Sequence, residues 1–247
     1  MYNPYSLVGK TILITGASSG IGQATAIECS KLGACVVITG RNKERLSETY
    51  NQLEGGGHKM IVADLISNKA IEILVSEINT IDGIVNNAGI GFTKMISFTK
   101  ESDLLNVFQV NTFASIMLTK ALLKKKKINK GGSIVFVSSL AAYRSTPGNS
   151  VYAASKAAIE SFTRSCAIEC AERMIRANSV HPGMVETPLI SGGSISDEEL
   201  ELYKKNYPLK RFGRPEEIAW TIAYLLSDAT KWMTGSAIIH DGGEILK

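Results

Sequence analysis

Short apolar runs alternate along the chain with longer stretches in which apolar residues recur every three or four positions. The runs KTILIT at 10–15, ACVVITG at 34–40 and KMIVAD at 59–64 are rich in β-branched residues and show no polar face. That pattern predicts strands buried on both sides, as in a parallel sheet. IDGIVNNAG at 81–89, GSIVFVSS at 132–139, IRANSVHPG at 175–183 and GSAIIHDGG at 235–243 bring the number to seven. Between them, QATAIECSKLG up to Gly33, RNKERLSETYNQL ahead of Gly55, and SNKAIEILVSEIN read as helices. Longer helices are predicted over about 101–124 and 150–172, and a last one over PEEIAWTIAYLLS, with Pro215 in its first turn. Such alternation predicts an α/β fold, a doubly wound parallel sheet of about seven strands with helices on both faces. No linker or repeat divides residues 1–247, which read as a single domain. The weakly patterned stretch 188–214 reads as a binding loop.

Composition narrows the class. Apolar residues make up 45% and charged residues 20%, enough for a sizeable core. A formal charge of +4 suits an anionic ligand but is too small to argue for nucleic acid. The run KKKKINK at 124–130 lacks interleaved aromatics, and a basic helix end is favoured by the helix dipole in any case. Cys29, Cys35, Cys166 and Cys170 form no CxxC pair and no metal-ligand spacing, so buried free thiols and no metal are expected. The start of the chain has no signal-peptide pattern and no apolar run reaches the length of a membrane span. A soluble cytoplasmic protein, with neither nucleic acid nor membrane as partner, is the expectation.

Two stretches carry chemistry. TGASSGIG at 15–22 follows the first strand and opens a helix. Glycines there let the backbone approach a pyrophosphate, and the free N–H groups at the helix start favour the anion. In VYAASKAAIE, Tyr152 and Lys156 lie four residues apart, on one helical face. A nearby ammonium favours phenolate and so lowers a tyrosine towards neutral pH, where it can act as acid or base.

Gly16, Gly20 and Gly22, the NNAG at 86–89 and the Tyr-x-x-x-Lys at 152–156 together resemble the short-chain dehydrogenase/reductase family, from about Lys10 to Gly243. The resemblance implies a Rossmann-like fold and a nicotinamide cofactor. It makes Tyr152 the general acid/base and Lys156 its tuning and ribose-binding partner. Ser139, thirteen residues before Tyr152, would bind the substrate oxygen, and Asn111 would support a water in a proton relay. Cofactor contacts fall to Gly16, Ser18, Ser19, Gly20, Ile21 and Gly22 at the phosphates, and to Asp64 with Leu65 at the adenine. Asn87, Ala88 and Gly89 would flank the adenosine half, and Pro182, Gly183, Val185 and Thr187 the nicotinamide end. For Asp64 a helix cap is the other reading. At the end of the second strand no carboxylate lies between Val36 and Lys43, and Arg41 stands there instead. This favours NADP(H) over NAD(H), with Lys43 or Arg45 assisting; a solvated residue is the plain alternative for Arg41. His181 is a weaker candidate for catalysis.

Within the family the chain most resembles 3-oxoacyl-acyl-carrier-protein reductases, through GRNKERL, RFGRPEEIA and DGG. The substrate is then a small carbonyl or an acyl thioester, with acyl carrier protein as partner docking on Lys124 to Lys127 and Arg173. A dehydrogenase of sugars or other small alcohols and a non-catalytic dinucleotide sensor are the alternatives. Ala153, Ala154, Ala157, Ala158 and Ser161 would keep one helix slim for close packing, and the family pattern implies a homotetramer or homodimer.

Overall fold

A computed structural model describes residues 2–191 and 196–247. In chain order its elements are β1 (Thr11–Thr15), α1 (Gly20–Lys31), β2 (Cys35–Gly40), α2 (Lys43–Tyr50), β3 (Lys59–Val62), α3 (Asn68–Glu77) and β4 (Ile81–Asn86). They continue with α4 (Glu101–Phe108), α5 (Ala114–Lys124), β5 (Ile128–Val137), α6 (Ser150–Glu169), β6 (Arg176–Pro182), α7 (Pro188–Ser191), α8 (Asp197–Asn206), α9 (Pro215–Leu226) and β7 (Ala237–His240). The seven strands form one sheet in the order β3-β2-β1-β4-β5-β6-β7. Every pairing is parallel.

Alternation along the strands splits the core in two. Ile12, Ile14, Val36 and Ile38 pack with Ala26, Leu46, Ile218 and Ile222 of α1, α2 and α9. Leu13, Val37, Ile134 and Phe136 pack on the other face with Ile71, Leu118, Leu122 and Ile159 of α3, α5 and α6. The sheet is thus sandwiched between two helical layers, as the apolar runs predict.

Three departures have local causes. The predicted long helix at 101–124 is interrupted by a π-turn over Gln109–Phe113, which holds Asn111. The 188–214 stretch carries two helices, α7 and α8, although residues 192–195 lie outside the described part. α8 starts with a capping box: Ser196 accepts from the Glu199 N–H while the Glu199 carboxylate accepts from the Ser196 N–H at 2.9 Å. That Ser-x-x-Glu signal is present in the sequence. Of the four thiols, Cys35 is only half-buried and donates to the Gly57 carbonyl at 2.7 Å, while Cys29, Cys166 and Cys170 are buried; all are free.

Strand order reverses between β1 and β4, so their C-terminal ends diverge into a crevice. Thr15, at the end of β1, ties the two together. Its buried hydroxyl donates to the Val85 carbonyl at 3.1 Å and accepts from the N–H groups of Asn87 and Ala88 at 2.9 and 3.1 Å. Thr15→Val keeps the shape and strands these backbone groups. It is expected to lower unfolding free energy by about 2–4 kcal/mol in urea titration, with Thr15→Ser close to wild type.

Candidate active site

The turn after β1 is shaped by exclusion. Gly16 has φ +63°, and a Cβ there would come within 2.9 Å of the Ala88 Cα. A Cβ on Gly22 would lie 2.3 Å from the Gly16 carbonyl oxygen and 2.4 Å from Asn87 Nδ2, so α1 could not approach the turn. Asn87 Nδ2 donates to the carbonyls of Thr15 and Gly16, fixing the turn to the end of β4. Ser19 is extended at the N-cap of α1 and its side chain makes no capping bond. The first-turn N–H groups of α1 are left for a ligand, with no acidic residue in that turn.

These residues open on a cleft of about 420 Å³. Gly16, Ser18, Ser19, Gly20 and Ile21 form one side, Asn87, Ala88 and Gly89 another, and Asp64 and Leu65 a third. Arg41 and Arg45 line it near the end of β2. Neither guanidinium has a hydrogen bond or ion pair within the described residues. Asn42, not Arg41, caps α2 by accepting from the Arg45 N–H. Likewise Ser67, not Asp64, caps α3, and the Asp64 carboxylate accepts only from the Ile66 N–H at 3.2 Å. The capping reading of Asp64 is therefore wrong.

The catalytic candidates meet beyond Gly89. A Cβ on Gly89 would sit 3.2 Å from Asn111 Oδ1 and 3.4 Å from Lys156 Nζ. Asn111 is 1% exposed, and its amide clasps the Ile90 backbone, accepting from the N–H at 2.8 Å and donating to the carbonyl at 3.0 Å. It also donates to Ser155 Oγ at 3.2 Å. Ser139 follows β5 and accepts from the Ala141 N–H at 3.1 Å, and its hydroxyl favours the ionised form of the Tyr152 phenol. Lys156 is 5% exposed and donates to the Val137 carbonyl at 2.9 Å.

The expected depression of the tyrosine is absent. Burial raises the Tyr152 phenol above its usual range, countered in part by the Ser139 hydroxyl. The reason lies in Lys156. Its ammonium is held on the Val137 carbonyl, 5.9 Å from the Tyr152 ring centroid, and burial pushes its own pKa down to about 8.

At the end of β6, Pro182 is buried and Gly183 packs so closely that a Cβ would lie 3.0 Å from the Asp241 Cα. Val185 bridges to Gly213, and Thr187 packs on Gly20 and lines the cleft. Gly22, Pro182, Gly183, Val185, Asn111, Ser139, Tyr152 and Lys156 do not line the cleft; Gly89 and Thr187 connect it to them.

Several supporting residues escaped sequence reasoning. Ser138 Oγ donates to the Lys156 carbonyl at 2.9 Å and Ser155 Oγ to the Tyr152 carbonyl at 2.7 Å, so both position α6. The buried Tyr207 hydroxyl accepts from the Met184 N–H at 2.9 Å and donates to the Glu244 carboxylate, joining the 188–214 stretch to the C-terminal turn. No motif marks them. The basic cluster is misplaced as a rim. Lys124 to Lys127 and Arg173 lie where β5 and β6 begin, whereas Ser139 follows the end of β5, ~30 Å away along the strand. Of the small residues on α6, Ala153 faces inward, and Ala154 and Ser161 face out. Among the described residues, no helix is long and apolar enough to cross a membrane, and no group of three or more His, Cys, Asp or Glu could hold a metal.

A crevice at the β1/β4 switch point, a glycine turn against a helix start and a Ser–Tyr–Lys group beside it define a dinucleotide-dependent oxidoreductase. The family model described as "Enoyl-(Acyl carrier protein) reductase" matches residues 16–244. The chain belongs to the short-chain dehydrogenase/reductase family and acts on CH–OH groups with a nicotinamide cofactor. It is 37% identical over 246 residues to the 3-oxoacyl-[acyl-carrier-protein] reductase FabG of Thermotoga maritima, covering 97% of this chain and 99% of that one. To the FabG of Rickettsia bellii it is 34% identical over 240 residues, covering 97% and 98%. A short-chain type dehydrogenase/reductase from Mycobacterium marinum superposes with TM-score 0.90 at 30% identity, over 99% of this chain and 98% of that one.

Burial of Lys156 has a measurable signature. Its pKa is lowered from 10.5 to about 8, so between these values the unfolded chain binds more protons and stability rises with pH. At pH 7 the buried charge costs about 3 kcal/mol. Lys156→Met is expected to be more stable than wild type at pH 7 without cofactor, with the gap closing above pH 10.5. Denaturation at both pH values checks this.

Proposed function

We propose that the protein reduces the carbonyl of a 3-oxoacyl thioester with NADPH. The observation that carries the reading is the convergence of Ser139, Tyr152 and Lys156 next to a cleft lined by two unpaired guanidiniums. The glycine cradle and the bare N-terminus of α1 fit a dinucleotide pyrophosphate. When bound, the nicotinamide supplies or accepts hydride. Ser139 orients the substrate oxygen, and Tyr152 donates the proton. Its phenol, raised by burial, is protonated at neutral pH, the state that reduction needs. Lys156 holds ribose and lends charge when the phenol ionises. Asn111, locked on Ile90, keeps the π-turn open behind Lys156 for a water relay. Tyr152→Phe is expected to lose all but a few per cent of turnover of an acetoacetyl thioester while cofactor titration is unchanged; Lys156→Ala is expected to damage both. A competent Tyr152→Phe enzyme would remove the tyrosine from this role.

NADP(H) is preferred over NAD(H) because Arg41, with Arg45 beside it, faces the cleft where an adenosine ribose would lie and no carboxylate competes at the end of β2. Asp64 and Leu65 take the adenine side, and Pro182, Gly183, Val185 and Thr187 the carboxamide end. Arg41→Ala is expected to weaken NADPH binding by ~1.5–3 kcal/mol and NADH binding hardly at all. Equal losses, or a wild-type preference for NADH, would refute the assignment.

The thioester is favoured over a free sugar or alcohol because the FabG relatives are named for 3-oxoacyl carrier substrates. An acyl carrier protein is then the partner. The lysine run at the far edge serves docking only across a subunit boundary. α5 and α6 run from the catalytic edge to the opposite one, and antiparallel pairing of two copies would bring one subunit's lysines to the other's mouth. That arrangement fits a homodimer or homotetramer built on the exposed Ala154, Ser161 and Ile168 of α6. The described parts of the 188–214 stretch, α7 and α8, would border the substrate.

A further inference from the structure

His181 is fully buried, and neither of its ring nitrogens is free. Nδ1 lies 3.2 Å from the Ser139 carbonyl oxygen and Nε2 lies 2.8 Å from Ser179 Oγ. A carbonyl can only accept, so Nδ1 carries the proton, Nε2 accepts, and Ser179 donates; the tautomer follows from the partners. Burial lowers the pKa of the ring and keeps it neutral. With no path to solvent and both nitrogens engaged, the ring is not placed to exchange protons with a substrate.

Its location is what matters. The β5–β6 ladder ends with Val137 opposite Val180, and one further backbone bond follows, from Ser138 N–H to the Val180 carbonyl at 2.8 Å. Beyond that point β5 turns away from β6, and Ser139 would be held only from its own side, where its carbonyl accepts from the Ala142 N–H at 3.0 Å. The imidazole reaches across from β6 and supplies the missing donor. The Tyr143 ring, 5.0 Å from the imidazole centroid, packs over it. Ser179 lies two residues earlier on the same strand face and fixes the ring from behind.

We infer that His181 is a positioning residue, continuing the sheet by a side-chain bond past the last backbone pair and thereby setting the direction of the Ser139 hydroxyl. The inference rests on Ser139 binding the substrate oxygen, as proposed above. Small misplacement of an oxyanion donor is costly, since an error of about 1 Å can reduce rate up to ~100-fold.

The test uses His181→Leu, His181→Asn and Ser139→Ala, each characterised for folding by thermal melting, for cofactor by titration and for kcat and KM with an acetoacetyl thioester. His181→Leu fills the space without a donor and is expected to lower kcat about tenfold with cofactor affinity unchanged. Asparagine places an amide N–H where Nδ1 stands and is expected to recover kcat to within about threefold of wild type. In a Ser139→Ala background His181→Leu is expected to add no further loss, because its effect passes through Ser139. The inference is overturned by wild-type kcat in His181→Leu, by Asn no better than Leu, or by full additivity in the double variant. If Ser139→Ala itself turns over normally, the proposed role of Ser139 fails instead. Should His181→Leu not fold, Ser179→Ala, which frees the ring, replaces it. A loss of kcat that vanishes in the Ser139→Ala background supports the inference, and an unchanged kcat overturns it.

Discussion

The Thr15 hydroxyl gathers one carbonyl and two N–H groups from the end of β4, and the cleft exists because of that knot. The β1–β4 ladder ends at Ile14 and Val85, and beyond it side-chain bonds hold the diverging strand ends at a fixed spacing. With Thr15 in place, Asn87 can reach back to the carbonyls of Thr15 and Gly16, and the glycine turn is fixed. Gly22 then has to be glycine, since a Cβ would strike both the Gly16 oxygen and the Asn87 amide. The start of α1, and with it the direction of its free N–H groups, follows from this packing.

The same economy recurs at the catalytic end. Ser139, Tyr152 and Lys156 come from one strand end and one helix, and neighbours join Lys156 in holding those elements together. Ser138 holds α6 at the Lys156 carbonyl, Ser155 ties the first turn of α6 together, and Thr112 donates to the Ser155 carbonyl at 3.0 Å. Asn111 joins this group to the loop after β4 through Ile90. The π-turn that carries Asn111 departs from regular helix just where the main chain must face the site, which is the usual place for such a defect.

The apolar runs were sufficient to read the seven strands, although only the inner ones are buried on both faces; at the sheet edges β3 and β7 stay partly exposed, so the expected two-sided burial of KMIVAD does not hold. Strand order was not legible there, since it is set by pairings between strands distant in sequence. The cleft residues from Gly16 to Ile21 were legible because close approach demands glycine. What stayed hidden depends on pairs distant in sequence. Nothing local marks Thr15 as a junction, since its partners lie some seventy residues away. Tyr207 and Glu244 are ordinary residues until the fold brings the hydroxyl and carboxylate together. The lysine run failed as a rim for a different reason. Charge alone carries no direction, and the length of β5 puts it at the wrong edge of its own subunit. The π-turn was invisible because its residues have unexceptional helix propensity.

Lys156 shows why the tyrosine's chemistry could not be read from spacing. Four residues place ammonium and phenol on one helical face, but the side chain chooses its partner by what is desolvated nearby. Buried beside the Val137 carbonyl, the ammonium satisfies that oxygen, and the phenol is left to burial and to Ser139. A phenol held protonated, with an ammonium close by but engaged elsewhere, is suited to delivering a proton to a carbonyl as hydride arrives. Under the roles proposed above, the reverse reaction would first have to draw Lys156 off Val137 and towards the phenol. A ribose held by Lys156, as proposed, would offer the ammonium other oxygen partners and so a reason to move. On the proposed mechanism, cofactor binding and activation of the acid/base would be one event, set by which oxygen a single buried ammonium touches.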